Sequence, residues 1–337
     1  MKNNCFYYSV FTTDGPKNAI SDFEFIAGKN IVLSGHSDGA KQQIFAFVRD
    51  EVTRKKLEYT DFCSASGSAG VYCADLDFKI ADKTFFEINE NNIFISIDDF
   101  TDIGKINQNE IERILGEKKQ YLSRAERFFS ACRLIKADMR RLESAYINHG
   151  KINQFTYRLW QKISFGLRGK IGSEYKRYVT CPTADGIELN MEAFDLYCDR
   201  LLVIRDRTGM VSGEITDRLR RYALGSGYSV ISCPCCLDDK IEHLIIPELG
   251  FGVFTSKYYH RDDFSYAKKT YAKKFLYRSV ENVKQRTDFS ARAYINLMNE
   301  AFDALKKAED CDKELDELIY NHVNLPALKE KISELIF

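Results

Sequence analysis

The chain states much of itself twice. Thr12-Thr13-Asp14-Gly15 returns as Thr183-Ala184-Asp185-Gly186, an offset of 171 residues (15 to 186). At that offset Phe23 meets Phe194, the apolar run Ile31-Val32-Leu33 meets Leu202-Val203-Ile204, and Ile44 and Val48 meet Ile215 and Leu219. After two extra residues in the second half the offset becomes 173. It then pairs Leu76 with Leu249, Phe78 with Phe251, Ile80 with Val253, Phe129 with Phe302, Leu142 with Leu315, Ile152 with Leu325 and Ile163 with Ile336. A register held over so many apolar positions predicts two like units in series. They are placed at residues 1–165 and 175–337, with 164–177 as a linker because Gly166, Gly169 and Gly172 stand there among basic residues.

Within the first half, short apolar runs at 30–34, 58–63, 70–81 and 93–97 read as buried or half-buried strands. Leu122, Ala125, Phe129, Cys132, Ile135, Met139, Leu142 and Tyr146 recur every three or four residues, the stripe of an amphipathic helix. That helix is expected to pack across the sheet or against its counterpart at 295–319. The 337 residues exceed what one hydrophobic core usually organises, which agrees with two units.

Lys+Arg and Asp+Glu are both 49, so no overall field draws the chain to nucleic acid or an anionic membrane. With 45% hydrophobic residues the chain is too apolar for disorder. No apolar run approaches a membrane span and the first residues lack a signal-peptide pattern, so a cytoplasmic protein with no membrane partner is expected. Cys73, Cys132 and Cys181 sit in apolar positions, where reduced thiols act as small hydrophobes. Cys233, Cys235 and Cys236 could hold zinc, but no second ligand pair stands at a matching spacing.

A strand followed by a glycine-rich bend and a helix is the setting of the phosphate-binding motif G-x-x-x-x-G-K-[ST]. Its glycines let the backbone curl around an anion, its lysine reaches the terminal phosphates and its hydroxyl binds magnesium. The first half offers Gly35-His36-Ser37-Asp38-Gly39-Ala40-Lys41-Gln42, keeping the first glycine and the lysine; Ala40 replaces the second glycine and Gln42 the hydroxyl. The second half offers Asp206-Arg207-Thr208-Gly209-Met210-Val211-Ser212-Gly213. There Ser212 takes the lysine position, and Asp206 and Glu214 bring negative charge that Arg205 or Arg207 would have to offset. The first loop is therefore the candidate nucleotide site and the second a degenerate copy. The fold class expected is α/β: two tandem P-loop NTPase-like units, each a mainly parallel sheet flanked by helices, with additional helices at the end of each unit.

The Thr-x-x-Gly opening, the two loop positions, Tyr228-Ser-Val-Ile-Ser-Cys233, Asp239-Lys-Ile-Glu-His243-Leu-Ile-Ile-Pro-Glu-Leu249, Phe254-Thr-Ser256 and His260 together resemble an uncharacterised tandem P-loop ATPase family of clostridia-like bacteria. The resemblance covers almost the whole chain. It implies an ATP-binding fold of unknown physiological role, with ATP and magnesium as the cofactors. The family's strand ending in an aspartate followed by Gly-Thr corresponds to Ile80-Ala81-Asp82-Lys83-Thr84, which makes Asp82 the implied carboxylate for magnesium or its water.

His260 falls opposite Glu87 at the 173 offset and reads as a surface or packing residue; Glu242 and His243 read as a hydrogen-bonded structural pair. Lys268, Lys269, Lys273, Lys274, Arg278, Lys284 and Arg286 interleave with Tyr271, Phe275 and Tyr277. This is the pattern of a nucleic-acid grip or, more often, of an amphipathic helix with a solvated face. The function expected is that of a pseudo-ATPase, a nucleotide-responsive or structural module with an unidentified protein partner. The alternatives are a slow ATPase or phosphotransferase working from the first loop alone, and nucleic-acid binding through the basic run. No catalytic residue is assigned.

Overall fold

The computed structural model describes all residues except 1–5, 20–24, 66, 87–90, 103, 105, 258–263 and the side chain of Thr84, so Phe23, Glu87 and His260 lie outside the described residues. In chain order the first half carries β1 Ser9–Thr12, β2 Gly15–Asn18, β3 Lys29–Ser34, α1 Asp38–Arg54, β4 Thr60–Ser64, β5 Gly67–Cys73, β6 Phe78–Asp82, β7 Asn92–Ser96, α2 Gln108–Ser144 and α3 His149–Ile163. The second carries β8 Glu174–Lys176, β9 Thr180–Thr183, β10 Gly186–Leu189, α4 Glu192–Tyr197, β11 Arg200–Arg205, α5 Met210–Gly225, β12 Val230–Pro234, β13 Ile241–Ile246, β14 Phe251–Ser256, β15 Lys268–Tyr271, α6 Lys284–Ile319 and α7 Leu325–Ile336. Two compact units form. One holds Met1–Glu126, Cys181–Asp185 and Phe302–Phe337; the other holds Arg127–Thr180 and Gly186–Ala301.

The first unit is built on a five-stranded sheet of order β4-β5-β6-β3-β7. Its middle is parallel, Ile31 of β3 lying level with Ile80 of β6 and Ile93 of β7, whereas β4–β5 and β5–β6 are antiparallel. The sheet is thus mixed, which corrects the expectation of a mainly parallel one. The apolar stretch 70–81 is two strands joined by a short turn at 74–77, and a connection that short permits only a hairpin. Helix α1 buries Ala40, Ile44, Phe45, Val48 and Val52, one face at helical spacing, beside Ile31, Leu33, Val71 and Ile80 of the sheet. Leu328, Ile332 and Ile336 of α7 complete this core. The first turns of α2, ahead of the stripe that begins at Leu122, meet the last turns of α6 through Ile111, Ile114, Leu315 and Ile319.

The second unit has a six-stranded sheet of order β15-β11-β14-β13-β12-β8. Again the strands around the central one, β11, are parallel, and β14–β13–β12 run antiparallel. Helix α5 packs Val211, Ile215, Leu219 and Ala223 with Ile152, Trp160 and Ile163 of α3. Part of the expected linker is ordered here. Residues 174–176 form β8, paired parallel with β12, and the Arg168 and Gly172 amides donate to Ser226 and Leu224 carbonyls, each at 3.0 Å. A Cβ on Gly172 would come within 1.9 Å of the Tyr228 carbonyl oxygen, so the backbone approach requires glycine. The basic run is no single helix: it spans β15, two 3-10 turns at Ala272–Phe275 and Arg278–Val283, and the start of α6. Pairing of β15 with β11 holds its first part extended, and Ala272 and Phe275 are drawn into the core.

Cys73, Cys132 and Cys181 are buried. No described helix is long and apolar enough to cross a membrane.

Candidate functional site

In the first unit β3 ends at Ser34 and the chain bends through Gly35, His36 and Ser37 into α1. Gly35 has φ +126°, and a Cβ there would stand 2.8 Å from the Ile97 side chain. Ser37 is the N-cap: its Oγ accepts from the Ala40 amide at 3.1 Å. The Lys41 amide already donates to the Ser37 carbonyl at 3.3 Å. Only residues 35–37 are therefore loop, and 38–42 belong to the helix. The serine cap and Asp38 in the first turn start the helix earlier than an eight-residue phosphate loop would.

The donors that would meet a phosphate are engaged by carboxylates. Asp316 of α6 accepts from the Ser37 hydroxyl at 2.6 Å and from the Gly39 amide at 2.8 and 3.1 Å. Asp98, in the 3-10 turn after β7, accepts from the His36 amide at 3.1 Å and lies 2.8 Å from its Nδ1. Lys41 Nζ reaches Asp38 at 2.9 Å and Asp82, at the end of β6, at 3.1 Å. Burial works to strip the proton from Lys41, but these two carboxylates outweigh it and hold the ammonium above its ordinary range. Gln42 Nε2 donates to the Ser68 carbonyl at 2.6 Å.

Gly35, His36, Asp38, Lys41, Asp82 and Asp98 line an open cleft of about 650 Å³ at the carboxyl ends of β3, β6 and β7, the position where open α/β sheets bind ligands. Lys83, Lys118 and Asp312 also line it. Lys118 bridges to Asp312, whose carboxyl is pushed up by burial against the pull of that lysine. Asp82 is ion-paired with Lys41, the Gln42 amide nitrogen donates to Ser68, and among the described residues no three His, Cys, Asp or Glu groups converge on a common point. Cys233, Cys235 and Cys236 form no such group among the described residues.

In the second unit the bend after β11 is filled by its own first residue. Buried Asp206 accepts from the amides of Thr208 at 3.2 Å, Gly209 at 3.0 Å and Ser212 at 2.8 Å. The charges expected to repel a triphosphate have partners, and Arg207, expected to offset them, pairs elsewhere. Arg207 pairs with Asp288 and Thr287, and Glu214 lies 2.7 Å from Arg218 and 3.0 Å from His149. Burial raises Glu214, but those two partners lower it below the usual carboxylate range. Glu143 of α2 accepts from the Thr208 hydroxyl, and burial together with the nearby Asp206 charge raises its carboxyl.

Glu242 and His243 do not bond to each other. Neighbours on a strand point to opposite faces, and their closest approach is 3.8 Å. His243 Nδ1 accepts from the Thr255 amide at 3.1 Å, and its ring stacks on Phe254 at 4.5 Å. Burial pushes it down to about 3, so it is neutral. Glu242 contacts Lys257 instead.

The residues that close the bends, Asp98, Asp316, Glu143 and Arg140, were not singled out from sequence. Arg140 Nε donates to the Thr208 carbonyl at 2.9 Å. Lys136, Arg140 and Glu143 are 5%, 6% and 9% exposed on α2. Their spacing on one helical face is the signal that could have revealed them: charges buried beside an apolar stripe demand partners. The chain matches no protein-family model, no curated protein and no solved structure.

Proposed function

We propose that the chain is a tandem P-loop-like pseudo-ATPase, two related units that serve as a binding scaffold and do not turn over nucleotide. Related units are supported by element positions. β1 and β9 (9 and 180), β2 and β10 (15 and 186) and β3 and β11 (29 and 200) begin 171 residues apart, and β6 and β14 (78 and 251) begin 173 apart. They are supported also by sheet order: β4-β5-β6-β3-β7 corresponds to β12-β13-β14-β11-β15, with β8 added.

One observation carries the absence of turnover. The amides at both strand-to-helix bends already hold carboxylates, Asp316 and Asp98 in the first unit and Asp206 in the second. An incoming polyphosphate would have to displace them and overcome their charge. Phosphate release from ATP with magnesium is the test. The proposal expects none above buffer; turnover that Lys41→Ala abolishes and Ser212→Ala spares refutes it.

That refuting result is what a second reading expects, a slow ATPase or phosphotransferase of the first unit alone. It is favoured by the cleft, whose volume lies within the ~300–1,000 Å³ of ligand sites and which Lys41, Lys83 and Lys118 line.

A further inference from the structure

The second unit contains a small cavity of about 40 Å³, well away in its chemistry from any phosphate cradle, lined by Cys235, Cys236, Lys136, Glu242, Lys257 and Tyr294. Since roughly 10–15 Å³ of such volume accommodates one water, it has room for a few water-sized molecules. It excludes nucleotides and peptide thiols. Arg207 lines the same cavity and keeps 34% of its side chain exposed, so one wall of the cavity is a side chain that meets solvent.

The cavity wall concentrates charge. Cys235 sits in the tight turn between β12 and β13, where its amide donates to the Lys240 carbonyl at 2.9 Å and its own carbonyl accepts from Asp239 at 3.1 Å. Lys136 Nζ stands 3.1 Å from Cys235 Sγ and 3.3 Å from Asp238. Arg140 also contacts Asp238, and Lys257 contacts Glu242. Lys136 and Arg140 thus face a single carboxylate, Asp238, while Lys257, which burial and the Lys136 charge bring down to about 7, meets Glu242. A thiolate at Cys235 balances the group, whereas a thiol leaves a buried positive charge with no counter-charge, which low-dielectric surroundings penalise.

We propose that Cys235 is a redox modification site: paired with Lys136 in this cavity, it is converted by hydrogen peroxide to a sulfenate. The Sγ lone pair attacks one peroxide oxygen, the S–O bond forms and the O–O bond breaks. The departing hydroxide takes a proton from the Lys136 ammonium and leaves as water. The sulfenic acid then returns its proton to the Lys136 amine, giving a sulfenate–ammonium pair. Sulfur loses two electrons and peroxide gains them, so thiolate plus hydrogen peroxide becomes sulfenate plus water. The Cys236 hydrogen bond and the Lys136 charge hold the Cys235 thiol well below its ordinary range against burial. Burial works against the Lys136 proton, but Cys235 and Asp238 hold it in place. By contrast, burial pushes the Cys132 thiol up to about 12. Arg140 adds positive charge around the site and Lys257 adds it in part, being brought down to about 7 by burial and Lys136; Asp238, Glu242, Cys236, Tyr178 and the buried Tyr294 are the other titratable groups there.

The folded full chain is treated with hydrogen peroxide across pH 5.5–8.5 for set times, the peroxide is removed with catalase, the chain is unfolded in denaturant containing dimedone, and the adducts are mapped by peptide mass spectrometry. The expected result is dimedone on Cys235, at a rate nearly flat over that range because the thiolate is already present. Lys136→Met is expected to slow Cys235 labelling by about tenfold or more and restore a rate that climbs with pH; Lys136→Arg recovers most of the loss. Labelling of Cys63 with none on Cys235, or a wild-type Cys235 rate that rises steadily up to pH 8.5, overturns the proposal. The wild-type pH profile decides the matter even where Lys136→Met fails to fold. ATP turnover does not enter the readout, so this inference and the pseudo-ATPase reading fail separately.

Discussion

Asp316→Asn is the most informative change at the first-unit bend. The carboxylate receives the Ser37 hydroxyl at 2.6 Å and the Gly39 amide at 2.8 Å, both charge-assisted and both at the positive end of α1. Hydrogen bonds to charged groups contribute ~1.5–3 kcal/mol each, and a carboxylate at a helix N-terminus ~0.3–1 kcal/mol. The asparagine keeps an acceptor oxygen but loses the charge, so about 2 kcal/mol of stability should go. For a unit of this size that is roughly 4–8 °C in melting temperature. The same change removes the negative charge a polyphosphate must displace and weakens the hold on the Gly39 amide. Inorganic triphosphate or ATP should then bind the variant at least about tenfold more tightly than wild type, an energy of ~1.4 kcal/mol that is modest beside a unit charge at contact distance. Differential scanning fluorimetry with and without ligand, backed by isothermal titration calorimetry, reads both effects. Ligand at about 100 times its Kd returns ~2.7 kcal/mol and should restore the lost melting temperature. A variant that melts with wild type, or a wild type that already binds ATP as tightly as the variant, refutes the idea that Asp316 occupies the cradle.

In the second unit Asp206→Ala strips the partner from three amides in a buried bend, and should cost about 3 kcal/mol or more in urea unfolding without creating ATP binding. His243 is pushed down to about 3 by burial, while the unfolded chain takes the proton near 6.5. Stability from this group is therefore full above about 6.5 and drains as pH falls toward 3, at up to about 1.4 kcal/mol per pH unit; His243→Leu should flatten that slope in denaturant titrations. Asp238 is raised by burial but held down to about 2 by Lys136, Arg140 and Lys257. Its contribution is full above the ordinary carboxylate value of ~3.8 and disappears as pH falls from there toward 2, so Asp238→Asn should remove about 2 kcal/mol at neutral pH and none at the acid end. A Tm difference that is constant with pH contradicts this assignment.

The bends after β3 and β11 were legible because a strand-length apolar run, a turn and a helical stripe leave local traces in sequence. The stripe shared by α2 and α6 was legible for the same reason. Mixed pairing in the sheets was harder to see, since 70–81 is apolar on both sides of its turn and reads as one run. The occupants of the first cradle left no local trace: Asp316 is 279 residues from Ser37. In the sequence Asp206 reads only as a charge that repels anionic ligands. In the folded chain the carboxylate turns back onto the amides of the helix that follows it, and no composition or spacing rule distinguishes those outcomes.

Leu328, Ile332 and Ile336, at the chain's very end, sit in the core of the unit that begins at its start, while Ile152, Trp160 and Ile163 serve the sheet formed from residues after them. Cutting the polypeptide between the halves would strip the N-terminal sheet of three aliphatic anchors worth about 6 kcal/mol together, comparable to the whole margin by which ordinary domains stay folded. The residues of α7 must therefore be made before the first sheet can be sealed, so that sheet stays open while the second unit is being synthesised.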